Sequence, residues 1–335
     1  MKIRDFIQRH LAAIAAAAVV TVGPLGIPAT ALADDPVTLK VTSQFRTGDS
    51  WDAVPELVRK TIQEKMGDKL KIRYLGGPEV IPGFEQAAAL KDGTIDLLVG
   101  TSSWAASLWP MVEAYDLVAE LKPWEEDEAG LSGFLERGFA KNLNAKYLGR
   151  VGGGIPVVFY TLFKPSSVKD FEGRLLRVTP LHRDAAIALG ARGVTMPPPD
   201  MYAALDRGTI EGLGWPTMGL QHQGVTKIVK YRVEPGFYQQ KWVVLMNMDR
   251  WNKLPAETQK QLEEVVKEVQ QESHDLEWGL VEADTELEKS HGIEIVTLGT
   301  DEAAEYRKIA IDGKWNALAA QYPEEAKELG EILNR

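Results

Sequence analysis

The 335-residue chain contains no cysteine. That excludes disulfide staples, thiolate metal sites, a cysteine nucleophile and a lipid carried on a cleavage-site cysteine. Its fold must rest on a buried core. Long apolar runs are also missing. The stretch from Leu11 to Val22 has twelve residues, whereas a membrane-spanning helix needs about 20. Histidine is sparse, at positions 10, 182, 222, 274 and 291. No H-E-x-x-H or paired-His spacing appears, so no metal site is signalled and no cofactor is expected. There is no G-x-S-x-G elbow. Gly152-Gly153-Gly154 lacks the Lys-Ser/Thr of a phosphate loop and reads as a hinge between domains. Basic charge is in deficit, 38 Lys and Arg against 48 Asp and Glu, a net charge of −10. This argues against nucleic acid or an anionic membrane surface as partner. Glu125-Glu126 and Glu263-Glu264 read as solvated faces. A secreted hydrolase with an unmarked carboxylate pair stays open, because spatial pairing is invisible in sequence.

What is present begins with a leader. Lys2, Arg4 and Arg9 precede the apolar run, and Ala31-Leu32-Ala33 has the small-x-small pattern of a cleavage site. Residues 1–33 therefore read as a cleavable Sec-type signal peptide. The rest is expected in the periplasm of a Gram-negative cell.

After residue 36, strand-like and helix-like segments alternate. Val37–Ser43, Leu70–Leu75 and Ile95–Val99 read as strands, with helical spacing over Trp51–Met66 and about Gly83–Lys91. The same order returns over Arg174–Trp215. AALKDGTIDLL at 88–98 matches AALDRGTIEGL at 203–213 at seven of eleven positions. Each copy places a glycine, Gly93 or Gly208, after the helix, where a C-cap wants positive φ. The expected fold is α/β. It is a two-domain clam-shell of the periplasmic-binding-protein kind, each domain a central, mainly parallel sheet flanked by helices. A helix of about 35 residues follows Pro255, with Leu262, Val265, Val266, Val269, Leu276, Leu280, Ala283 and Leu287 in register. Such a helix is roughly 50 Å long and is expected to span both domains. The expected division is 34–156 plus about 244–285, and 157–243 plus about 286–335. Ligands of such sheets sit beyond the carboxyl ends of the strands. Those ends are Gln44–Arg46, Gly76–Glu79, Thr101–Trp104, Arg177–Pro180, Pro197–Asp200 and Trp215–Thr217.

DFEGRLLRVTP at 170–180 and MPPPDMYAALDRGTIEGLGWP at 196–216 resemble the signature of TRAP-transporter solute-binding proteins of the DctP type. LKDGTIDLLVG at 90–100 and WNKLPAETQ at 251–259 are similar to the same family, so the likeness runs along the chain after the leader. It implies a binding protein and not an enzyme. Such a protein captures a small organic acid by hinge closure and hands it to a permease of one small and one large integral membrane subunit. Arg177 stands where the family places the arginine that salt-bridges the substrate carboxylate. A guanidinium suits that task, being always charged and planar, with a bidentate fork. An ABC-type receptor of similar shape is the alternative among binding proteins.

Departures from the family pattern bear on the ligand. Trp215 stands where many members have Asn. Val157 stands where some have a second basic residue, and Pro198 where an aromatic or polar side chain is frequent. An apolar wall penalises an unpaired charge, so the expected guest is a monocarboxylate with an apolar or aromatic body. Trp215, Trp104, Phe159 and Tyr238 are candidates to stack on it. Gln44, Thr101 and Ser102 are candidate polar contacts at strand ends, and Tyr202 a further one on the signature helix.

Overall fold

The computed structural model describes residues 36–118, 121–196 and 198–333. The leader expectation for residues 1–33 lies outside them, as does Pro197. The first unit runs β1 (Val37–Ser43), α1 (Ala53–Met66), β2 (Leu70–Gly76), α2 (Gln86–Lys91) and β3 (Leu97–Thr101). Helix α3 (Leu131–Leu143) then leads into β4 (Ala145–Thr161). The second unit runs β5 (Leu175–Val178), α4 (Pro180–Ala188), β6 (Arg192–Thr195), α5 (Met201–Asp206) and β7 (Gly212–Pro216). After it come β8 (Tyr231–Asn247), α6 (Met248–Trp251), α7 (Ala256–Ser290), β9 (Glu294–Thr297), α8 (Thr300–Gln321) and α9 (Pro323–Ile332).

The duplication read from sequence is visible in hydrogen bonds. After α2, Gly93 N donates to the Leu90 carbonyl and Thr94 N to the Ala89 carbonyl. After α5, Gly208 N donates to Leu205 and Thr209 N to Ala204. The two glycines take φ 72° and 67°, so each ends its helix in the left-handed region. Asp96 N then donates to Lys40 and its carboxylate accepts Lys40 N, while Glu211 N donates to Leu175 and its carboxylate accepts Leu175 N. Strands pair in parallel as β2-β1-β3 in the first lobe and β6-β5-β7 in the second.

The centre of the sheet was not legible as such. Strands β4 and β8, 17 residues each, pair antiparallel along both lobes, and the sheet order is β2-β1-β3-β8-β4-β7-β5-β6. Strand β8 closes the first lobe against β3, and β4 closes the second against β7. The lobes thus share one continuous mixed sheet. Four apolar clusters cover its faces. One joins α1 and β1 to α7 through Val58, Ile62, Leu262 and Val266. Another buries Phe139 and Leu245 under α3. In the second lobe, Leu176 and Ala185 pack with Tyr306, and Leu213 packs with Leu205. Full burial of each such side chain stabilises the fold by about 1.5–3 kcal/mol. The tail divides between the lobes: α8 packs on α4, whereas Ala326 and Leu329 of α9 join the cluster under α3.

The triple glycine sits inside β4 at the crossing between lobes. Five residues of β4, Val151 to Ile155, face only the three from Trp242 to Gln240 of β8, so the strand bulges there. Gly152 and Gly154 have φ 75° and 76°. A Cβ on Gly153 would lie 2.3 Å from the Trp278 indole, so a side chain is excluded. Helix α7 grips the bulge. The buried Glu277 carboxylate accepts Gly153 N and the Trp242 indole N–H, and Ser273 Oγ accepts Gly152 N at 3.0 Å. Burial pushes the Glu277 carboxyl up to about 7. The folded state therefore holds a proton that the unfolded chain releases near 4.5. Stability from this source is complete at low pH and is lost as pH rises from about 4.5 to 7. Glu277→Gln, which leaves one N–H without its acceptor, is expected to cost about 1–3 kcal/mol. It should also flatten the decline of melting temperature across that pH window. A profile parallel to that of the unaltered protein would contradict the assignment.

Candidate functional site

The ends of β1, β3, β5 and β7 converge on a cavity of about 450 Å³ between the lobes. Five aromatic rings, Phe45, Trp51, Phe84, Trp104 and Trp215, form much of its wall. Phe45 stacks on Trp51 with centroids 5.3 Å apart, and Phe84 stacks on Trp104 at 4.3 Å. Trp51, just ahead of α1, meets Trp215, at the end of β7, edge-on at 6.5 Å, which brings the lobes together. His222 Nε2 lies 3.1 Å from Ser50 Oγ in a second contact across the same mouth. Polar groups in the wall are few: Ser103, Ser107, Gln240, Thr179, His182 and Glu113. Burial raises the Glu113 carboxyl above its ordinary range, although Lys314 pairs with it. Lys314 also bridges to Asp184 at 3.0 Å.

Arg177 stands one residue from the end of β5 and is 2% exposed. Its Nε donates to the Met196 carbonyl at 3.0 Å and its Nη1 to the Gly214 carbonyl at 3.4 Å. The guanidinium carbon lies 5.5 Å from the Trp215 ring centroid, a cation–π distance. Among the described residues no carboxylate comes within ion-pair range of it, whereas buried Arg150 has Glu126 and buried Arg232 has Glu234 and Glu288. Burial alone, with no opposing anion, lowers Arg177 to about 10. It remains charged at neutral pH, desolvated and uncompensated, an arrangement that is costly unless an anion arrives.

The other expected contacts separate into two groups. Trp215 and Trp104 are in the wall. Phe159 and Tyr238 are in the second-lobe core: Phe159 stacks on Phe237 at 4.7 Å, and Tyr238 donates its hydroxyl to the Ala310 carbonyl. Val157 packs in the same cluster. Gln44 Oε1 accepts Thr101 N at 2.7 Å and Thr101 Oγ1 at 3.1 Å, tying β1 to β3. Ser102 donates to buried Asp116 at 2.6 Å. Tyr202 is half-exposed on α5. None of these seven is part of the wall of this cavity.

Residues 48–320 match the model of bacterial extracellular solute-binding protein family 7, the DctP family. The chain belongs to that family. Its members are solute-binding proteins, so the hydrolase alternative falls away. A curated relative, a monocarboxylate 2-oxoacid-binding periplasmic protein of Nostoc sp., is 25% identical over 213 residues, 61% of this chain and 58% of its own length. A TRAP periplasmic solute-binding protein from Desulfovibrio salexigens, with bound orotic acid, shares the fold at TM-score 0.76 and 19% identity, covering 88% of this chain and 96% of that one. An extracytoplasmic solute receptor of Bordetella pertussis binding pyroglutamic acid does so at 0.75 and 14%, covering 89% and 100%. The two-domain periplasmic-binding-protein fold is thus shared.

Within this DctP-family site, strand-end reasoning reached Phe45, Ser103 and Thr179 as members of ranges without naming them. It missed Trp51, Phe84, Glu113, His182 and Gln240. These come from helix starts, from the 3-10 helix at Pro110–Leu117 and from β8, none of which ends a parallel strand. No helix of the described residues is long and apolar enough to cross a membrane. Gln44→Ala separates scaffold from contact. It removes the acceptor of the Thr101 N–H and is expected to destabilise by about 1–3 kcal/mol. Ligand affinity at a temperature where the variant stays folded should shift less than about threefold, the size of a few tenths of a kcal/mol. Thermal melts and calorimetry on one preparation check both.

Proposed function

We propose that the protein captures a small organic carboxylate, a monocarboxylate with an apolar or aromatic body, for a TRAP-type transporter. The observation that carries this reading is Arg177: a buried guanidinium without a counter-charge, beside the wall of an aromatic-lined cavity. The carboxylate would take the fork of Arg177, beside the start of α4, where Thr179 to His182 are in the wall. The body of the ligand would lie among Trp215, Trp104 and the other rings. A cavity of about 450 Å³ suits a small molecule. Glu113 supports a single negative charge on the guest, because a second carboxylate near it would meet repulsion and desolvation together. The Nostoc relative, a binder of monocarboxylate 2-oxoacids, points the same way.

Ligand contacts to both lobes favour the closed state over the open one. The hinge is the glycine bulge of β4 and its partner in β8, with α7 as a third connection. The proposed domain boundary falls there, close to 156 and 244. The leader at 1–33 supports export to the periplasm, where the loaded protein would dock on the small and large membrane subunits of its permease.

Arg177→Ala is expected to weaken binding of every acid ligand by more than 2 kcal/mol, as for removal of one partner of a buried charge pair. Unchanged affinity by calorimetry would overturn the carboxylate anchor. Trp215→Ala should cost bulky aromatic acids more than acetate-sized ones, and equal losses across the series would make Trp215 structural only. Glu113→Gln should narrow the gap between a monocarboxylate and the dicarboxylate of the same skeleton, measured as a ratio of dissociation constants. A panel of organic acids screened by thermal shift identifies the ligand, since binding to the folded state alone raises the melting temperature.

A further inference from the structure

Between β7 and β8 the chain does not stay with its own lobe. Thr217 N donates to the Pro156 carbonyl of β4 at 2.9 Å. The next residue, Met218, is buried in the apolar cluster that joins α1 and β1 to α7, together with Trp51 and Val54. Gly219 follows at φ 75°, so close to Trp51 that a Cβ would lie 2.1 Å from the indole nitrogen. Three residues on, His222 Nε2 is 3.1 Å from Ser50 Oγ and 3.7 Å from Asp49 Oδ1. Residues 217–223 thus form a strap from the second lobe to the turn ahead of α1 in the first.

One side chain of α7 holds the strap. Asp284 is 8% exposed. One of its carboxylate oxygens accepts Gly219 N at 2.6 Å and the other accepts Gln221 Nε2 at 2.7 Å. A carboxylate buried this far is costly unless its oxygens are hydrogen-bonded, and the strap supplies the donors. The hold reaches the cavity. The Met218 carbonyl accepts the Trp215 indole N–H at 3.1 Å. That carbonyl and Gly219 N belong to one peptide unit, which is planar and stiff. Fixing its N–H on Asp284 therefore fixes the direction of its carbonyl, and with it the Trp215 ring in the wall.

We propose that Asp284 is a positioning residue for ligand capture: through the Met218–Gly219 peptide it orients Trp215 and holds the strap across the mouth, and so slows ligand release. The inference rests on the reading that a ligand lies between the lobes. Opening the mouth parts Gly219 from Trp51 and His222 from Ser50. Contacts that must break on the way out act on dissociation more than on association.

Two measurements test this. The first needs no ligand: hydrogen exchange of the Trp215 indole N–H, followed by NMR and assigned with Trp215→Phe. Exchange is expected to be about tenfold faster in Asp284→Ala than in the unaltered protein, the size of one hydrogen bond. Asp284→Asn keeps an oxygen for Gly219 N and should recover most of the difference. The second is stopped-flow tryptophan fluorescence with phenylacetate as probe. Asp284→Ala should release it about tenfold faster with association within about threefold, and His222→Ala, on the surface, about threefold faster. A carboxylate that only stabilised the fold would lower the melting temperature and leave indole exchange and release as they are. Unchanged exchange in Asp284→Ala overturns the proposal, as does a loss of affinity carried by association or an Asp284→Asn no better than alanine. If Asp284→Ala does not fold, Asp284→Asn and His222→Ala decide: indole exchange and release both equal to those of the unaltered protein overturn it. If phenylacetate does not bind, the carboxylate reading falls and indole exchange still decides the strap. If it binds while exchange and release are unchanged, the carboxylate reading stands and the strap falls.

Discussion

The antiparallel pairing of β4 with β8 is the constraint on which the molecule depends. Every other sheet contact belongs to one lobe, whereas this pair runs through both. It places the carboxyl ends of β1 and β3 opposite those of β5 and β7, and so creates a cleft. Interruption of the ladder at the Gly152–Gly154 bulge concentrates irregular backbone where the lobes join. Glu277 and Ser273 satisfy the N–H groups that the bulge frees, so the crossing is hydrogen-bonded and not merely slack. Strand β8 also brings Trp242 against Phe45 and Trp51, which ties the crossing to the aromatic wall.

Two opposed tendencies meet in the cavity. The aromatic wall removes water and favours an apolar body. Arg177 favours an anion, and more strongly because water is excluded, since Coulomb attraction grows as the effective dielectric falls. The desolvation of Arg177 is spent in the folded protein before any ligand arrives. On the proposed reading, a carboxylate would gain the attraction without the protein bearing a further cost on that side. Buried Arg150, by contrast, is ion-paired with Glu126 within the first lobe.

Much of this was legible in sequence where a local signal carried it. The duplicated AAL–GTI segments gave two matching helix-turn-strand units because each ends on a glycine with φ near 70°. Arg177 was legible because it closes a short strand in a motif shared with a known family. Strands β4 and β8 were not, since long central strands buried on both faces lack the alternation that marks a half-exposed strand. The aromatic candidates divided for the same reason. Trp104 lies beyond the end of β3 and Trp215 among the last paired residues of β7, and both reach the cavity. Phe159 and Tyr238 lie within strands whose two faces are both covered, and so pack in the core. His182 carried no sequence signal, because a lone histidine has no spacing partner to mark it, and only the fold brings it to the cavity wall.

The chain passes between the lobes along β4, again along β8, again through α7, and a last time where α8 gives way to α9. No single peptide bond therefore holds the halves together. A cut at the glycine bulge would leave two fragments joined by the remaining crossings, the shared sheet and the grip of α7. The bulge can accordingly tolerate a break in covalent continuity better than a change in side-chain volume: one methyl group at Gly153 meets Trp278, whereas a missing bond there removes only one of several tethers.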